Sequence, residues 1–134
     1  MNGGNIQQSL QLGLKWLLHR NLVEIKDYRI RKVITKLRLG KLPLQIEKGR
    51  HTKPKTPLEK RICSYCNTNS IEDELHFIIY CPFYDEERKF LMNIISSKIC
   101  IDHKDTFVNI MCNNDVTVLF SLGKYIQKCL KKRL

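Results

Sequence analysis

Cys63, Cys66, His76 and Cys81 stand in a C-x2-C-x9-H-x4-C run. Three thiols and one imidazole are the donor set a tetrahedral Zn2+ accepts, with Zn–S near ~2.3 Å and Zn–N near ~2.0 Å. Four protein ligands leave no open position for water, so the spacing predicts one structural zinc ion. The short gap between Cys63 and Cys66 lets both bind from a tight turn. The gap between His76 and Cys81 lets a helix donate the imidazole and end before the last thiol. The other cysteines, Cys100, Cys112 and Cys129, lie beside apolar neighbours and read as small hydrophobic core residues. Cys100 and His103 form a C-x2-H pair that would supply half of a second site, but no pair of comparable quality completes it.

Catalysis has little to stand on. A closed metal site cannot activate water, and the chain carries no HExxH, P-loop, G-x-S-x-G or Y-x-D-D signature. Glu72, Asp73 and Glu74 are consecutive, so on a helix their carboxylates diverge. The expectation is a protein that is not an enzyme.

The formal net charge of +11 is unevenly spread. Residues 1–62 hold 15 Lys and Arg against 4 Asp and Glu, residues 63–88 hold 1 against 6, and residues 89–134 hold 8 against 3. A basic excess of this size attracts polyanions, of which nucleic acid is the first candidate. The acidic metal segment, with Glu72, Asp73, Glu74, Asp85, Glu86 and Glu87, would repel phosphates. Contacts are therefore expected from Arg29, Arg31, Lys32, Lys36 and Arg38 on a helix, from Arg50, Lys53 and Lys55 on a basic arm, and from a second basic patch at Lys124, Lys128, Lys131, Lys132 and Arg133. The alternative is that these cations only solvate helix faces.

The elements that must position these groups are mostly helical. Ile6, Leu10, Leu14, Leu17 and Leu18 recur at helical spacing over Asn5–Arg20, with Trp16 off the stripe. A second helix is predicted from Asp27, as N-cap, to Leu39, with Ile30, Val33, Ile34 and Leu37 buried and Gly40 just beyond the end. Residues 41–58 lack helical periodicity and carry Pro43, Pro54 and Pro57, which predicts a basic loop extended over Lys53–Pro57. Its alternative role is a linker to the finger. Ser70 and Asp73 suggest a capping box for a helix over Ile71–Tyr80, buried through Leu75, Ile78 and Ile79 and stopped by Pro82. Asp85, Glu86 and Glu87 suit the start of a helix whose apolar face is Phe90, Leu91, Ile94 and Ile95. A short helix after Asp105 carries Phe107, Ile110 and Met111. A final helix after Asp115 buries Leu119, Leu122, Tyr125, Ile126, Cys129 and Leu130. The fold class expected is mostly α, several amphipathic helices packed around a small zinc-binding hairpin-helix module. Its divisions are a helical pair (1–40), a basic arm (41–61), the zinc module (62–84) and C-terminal helices (85–134). The apolar stretch Leu10–Leu18 is broken by Gln11, Gly13 and Lys15 and suits neither a signal peptide nor a membrane span, so an intracellular setting, nuclear or cytoplasmic, is expected.

The segments ICSYC and IEDELHFIIYCPFY, preceded by TKLRLG and the basic IEKGRHTKPKTPLEKR, resemble the C-terminal cysteine-histidine segment of non-LTR retrotransposon reverse transcriptases of animal genomes. The later FVNIMCNN and LGKYIQKCLKKRL resemble the end of such polyproteins, so the likeness runs from about Asp27 onward. It implies that Cys63, Cys66, His76 and Cys81 are zinc ligands and that the segment assists nucleic-acid binding during target-primed reverse transcription. The chain contains neither the polymerase nor the endonuclease domain, so the expectation is a zinc-stabilised nucleic-acid-binding accessory module. A zinc-stabilised protein-interaction module, carried by Trp16 and the acidic run, and a retroelement remnant are the alternatives.

Overall fold

The computed structural model describes residues 24–96, 103–113 and 115–134. The expected helix over Asn5–Arg20, Trp16 and the Cys100–His103 pair fall outside them, in whole or in part. Among the described residues the chain is mostly helical, and its extended pairing is one antiparallel bridge, Ile62 to Ile71. No helix among them is long and apolar enough to cross a membrane.

Helix α1 spans Tyr28–Arg38. Asp27 starts it by accepting the Arg29 backbone N–H at 2.9 Å. Gly40 ends it at φ +68, a conformation only glycine adopts without strain. That turn lets Gly40 N–H reach Leu37 O (3.1 Å) and Lys41 N–H reach Lys36 O (2.8 Å), the paired bonds of a Schellman motif. Ile30, Ile34 and Leu37 are buried as expected, and Val33 is half-buried.

Beyond Gly40 the structure departs from a free arm. Leu42 and Leu44 are buried, and Gln45–Lys48 form a single helical turn, α2, where no helix was expected. Residues 51–54 bend rather than extend, and the loop closes through Thr56 N–H to Gly49 O at 3.0 Å. Arg61 lies over buried Gly49 and donates to Thr56 O (2.9 Å) and Ile46 O (3.1 Å), binding the loop to its own base.

Three helices complete the fold: α3 (Asp85–Ser96), α4 (His103–Cys112) and α5 (Val116–Lys132). Helix α5 packs against both α3 and α1. Asp115 caps it by accepting from Thr117 N–H (2.8 Å) and Val118 N–H (3.3 Å). Its buried stripe is the expected one, with Leu130 half-buried. On α3, Leu91 and Ile95 are buried and Ile94 is partly buried. Phe90, expected inside, is 60% exposed with Lys128 Nζ 5.9 Å from its ring centre. One continuous core joins Leu42 and Leu44, the finger residues Cys63, Phe77, Ile78, Cys81 and Tyr84, and the helix residues Leu91, Leu122 and Tyr125. Ile25, Ile30, Ile34 and Leu119 form a second cluster between α1 and the first turn of α5.

Candidate metal centre

The first two thiols come from a knuckle pinned at its base. Cys63 N–H donates to Ser70 O (2.9 Å) and Glu72 N–H to Arg61 O (3.0 Å), so the chain folds back between them. Asn69 makes the reversal at φ 57, a region that asparagine tolerates better than most residues. The imidazole and the last thiol come from the turn that follows. This turn starts later than expected, because Asp73 rather than Ser70 caps it, accepting His76 N–H at 2.8 Å. Ile71 is used in the bridge instead. Over His76–Tyr80 the helix widens to a π turn closed by Cys81 N–H to His76 O at 2.7 Å. Pro82 biases Cys81 toward extended backbone (φ −64, ψ 115), which ends the turn at the last sulfur.

These two pieces bring the four expected residues together: the ligand atoms of Cys63, Cys66, His76 and Cys81 all lie within 4.8 Å of one another. Cys63 Sγ is 3.9 Å from Cys81 Sγ, and Cys66 Sγ is 3.4 Å from His76 Nε2. Cys63, His76 and Cys81 are buried and Cys66 is half-buried. The cluster is close enough to hold a metal ion.

The surroundings push the donors in different directions. Burial drives the Cys63 thiol up to about 12, with the Glu72 and Cys81 charges adding to the shift. Burial also raises Cys81. At Cys66 burial acts upward too, but the Thr68 hydroxyl and backbone N–H and the neighbouring thiols outweigh it, leaving a lowered value. Burial lowers His76 against the opposing pull of Asp73 and Glu72, which favours the neutral imidazole a metal requires.

Three charged residues hold the cluster in place: Arg88, which the sequence did not single out, and Glu72 and Arg133, which it placed in an acidic run and in a basic patch. Arg88 is buried and donates Nε to Ile78 O (2.8 Å) and Nη2 to Cys81 O (2.7 Å), satisfying carbonyls at the end of the π turn. Its Nη1 meets Asp85 at 2.8 Å. Tyr125 donates its hydroxyl to Phe77 O from α5. Glu72, 1% exposed, accepts Gln45 N–H at 2.8 Å, places its other oxygen 3.4 Å from Cys63 Sγ, and pairs with Arg133 at 3.3 Å. Arg133 also donates to Pro43 O (3.2 Å) and lies 4.3 Å over the Tyr65 ring. The spacing carried a signal for Arg88, which shares the buried α3 face with Leu91 and Ile95 at i, i+3 and i+7.

The expected phosphate-binding cations divide. Arg29, Lys32, Lys36, Arg50, Lys53 and Lys55 are exposed and Arg31 is half-buried. Arg50 faces Glu47 at 3.5 Å. Arg38 must be removed from the set: it follows Ile34 by four residues, so it falls on the buried stripe. It is 7% exposed and donates Nη2 to Asn113 O at 3.1 Å. Burial lowers its guanidinium to about 10, with the Cys112 charge acting upward. The second patch at the chain end is also partly consumed. Lys132 Nζ donates to Phe83 O (2.8 Å) and pairs with Glu87 (3.2 Å), while Arg133 is held by Glu72.

The chain matches no family model, no curated protein and no solved structure.

Proposed function

We propose that the chain is a zinc-stabilised nucleic-acid-binding accessory module with no catalytic step of its own, of the kind found at the C-terminal end of non-LTR retrotransposon reverse transcriptases. The observation that carries the reading is the convergence of Cys63, Cys66, His76 and Cys81 on one point. A tetrahedral ion at the usual zinc bond lengths sets an S···S edge of ~3.8 Å and an S···N edge of ~3.5 Å. The cluster supplies 3.9 Å and 3.4 Å for these edges. Glu72 and Arg88 fit a supporting role, one beside a sulfur and the other on the backbone that carries the ligands.

In this reading Zn2+ supplies folding free energy and no reactive position, because all its sites are taken by protein. Nucleic-acid binding is supported by the charge of the chain and by the exposed cations Arg29, Lys32, Lys36, Arg50, Lys53 and Lys55 with half-buried Arg31. These would meet phosphates without reading bases.

Metal analysis of purified protein tests the first half, and the expected result is one zinc per chain, lost with Cys81→Ser. Absence of metal, with no thermal shift on adding zinc, contradicts it. Titration with RNA and DNA oligonucleotides tests the second half. Affinity should fall log-linearly between about 50 and about 300 mM salt, and a flat response or no binding contradicts it.

A further inference from the structure

Cations distant in sequence, Arg29 and Lys48 before the metal knuckle and Lys131 and Arg133 at the chain end, meet in one place. A cleft of about 720 Å3 opens where α1, α2, the metal knuckle and the end of α5 meet, and Arg29, Lys48, Tyr65, Gln127, Lys131 and Arg133 are among its lining residues. It draws one cation from each of α1 and α2 and two from the end of α5. No Asp or Glu side chain among the described residues lines it. Among the described residues, Arg29, Lys48 and Lys131 make no ion pair, although carboxylates elsewhere recruit Lys41, Arg50, Lys89 and Lys132. Arg133 contributes to the wall, and its Nη1 is buried without a hydrogen-bond partner. The Arg133 charge is met by Glu72, so it is Arg29, Lys48 and Lys131, converging on a concave surface without an ion pair among the described residues, that raise its potential and favour an anionic occupant.

The geometry points to this cleft as the seat of a single-stranded polynucleotide, held by its phosphates, with Arg29, Lys48 and Lys131 as the contacting cations. The assignment rests on the proposed nucleic-acid function and locates it. The volume is that of a small-ligand site, in the range of ~300–1,000 Å3, and so admits one sugar–phosphate strand rather than the body of a double helix. Tyr65, the aromatic ring of the lining, already stacks against the Arg133 guanidinium at 4.3 Å, so its face is not free for a base. Phosphates are therefore the groups recognised. The position also explains why the acidic finger does not repel the ligand. Glu72, which touches the knuckle at Cys63, is buried against Arg133.

The test uses the full chain and two charge-matched triple variants. One is Arg29→Gln, Lys48→Gln, Lys131→Gln in the cleft; the other is Lys26→Gln, Lys60→Gln, Lys89→Gln, three exposed lysines that neither line the cleft nor belong to the proposed phosphate-binding set. Binding of a labelled single-stranded oligothymidylate and of a duplex of equal length is measured against salt, with melting temperature as the folding control. At ~0.7 per neutralised phosphate on a single strand, the cleft variant should lose about 2 from the salt slope and about a hundredfold in affinity near 0.1 M salt. The control variant should lose much less, and both should melt as the parent does.

Parent protein that binds the oligonucleotide while both variants lose affinity equally, or the cleft variant loses none, overturns the cleft assignment and leaves the general function standing. Tighter binding of the duplex than of the single strand also overturns it. Failure of the parent to bind either probe overturns the proposed function itself.

Discussion

Glu72 meets three parts of the chain at once: Gln45 N–H before the knuckle, the Cys63 sulfur within it, and Arg133 beyond α5. The Glu72 and Arg133 side chains are 1% and 6% exposed, so each charge depends on the other for compensation. Glu72→Gln keeps the shape and removes the charge, leaving a buried guanidinium without its partner. It should destabilise the metal-loaded protein by about 3–5 kcal/mol in urea unfolding, and a loss under about 1 kcal/mol would contradict the pairing. Arg133→Met added to Glu72→Gln should cost less than the sum of the single changes, because no lone charge then remains. Neither Glu72 nor Arg133 was legible as a buried pair, since 61 positions separate them and both types are usually on the surface. The four ligand positions were legible because thiol and imidazole at short spacing carry their chemistry in their type. Arg38 failed for the opposite reason: a residue typed as charged was removed from a stripe that its position placed it on.

At the scale of elements, helix starts and stops were well marked. Asp27, Asp115 and Gly40 act through backbone geometry that a single residue type sets locally, and each does what its position predicted. Contacts between elements were less legible, as Gly123 illustrates. A Cβ at this α5 position would lie 2.5 Å from Ile30 Cγ2 on α1, and Ile30 is fully buried with no room to withdraw. Gly123→Ala should therefore lower the melting temperature: overpacking costs about 1–3 kcal/mol, enough to offset the ~1 kcal/mol that alanine gains over glycine inside a helix. A raised melting temperature would show that α1 can yield. The basic loop was misread on the same scale. Prolines and lysines predict an extended stretch, but the bonds that fold it come from Arg61 and Gly49, whose pairing depends on tertiary contact.

At the scale of the molecule, the Cys/His cluster is part of the core. Cys63 and Cys81 pack in the same cluster as Leu42 and Leu44 before them and Leu91, Leu122, Tyr125 and Ile126 after them. The backbone carrying the ligands is also bonded to Arg88 on α3 and Tyr125 on α5. Removing a metal from such a site would leave three thiols and a buried carboxylate in an apolar centre, where the protonated thiol of Cys63 is favoured and the turns lose their common anchor. In isolated zinc fingers the metal contributes an apparent ~10–16 kcal/mol, more than the whole stability of an ordinary domain at ~5–15 kcal/mol. Chelation should thus dissolve the helical packing together with the knuckle. Hydrogen exchange followed after adding a chelator should show α1, α3 and α5 losing protection along with His76–Tyr80. Restoring zinc in excess should return them together. Loss of protection confined to residues 62–84, with the helices intact, would mean that the core holds without the ion and that the cluster is an appended site.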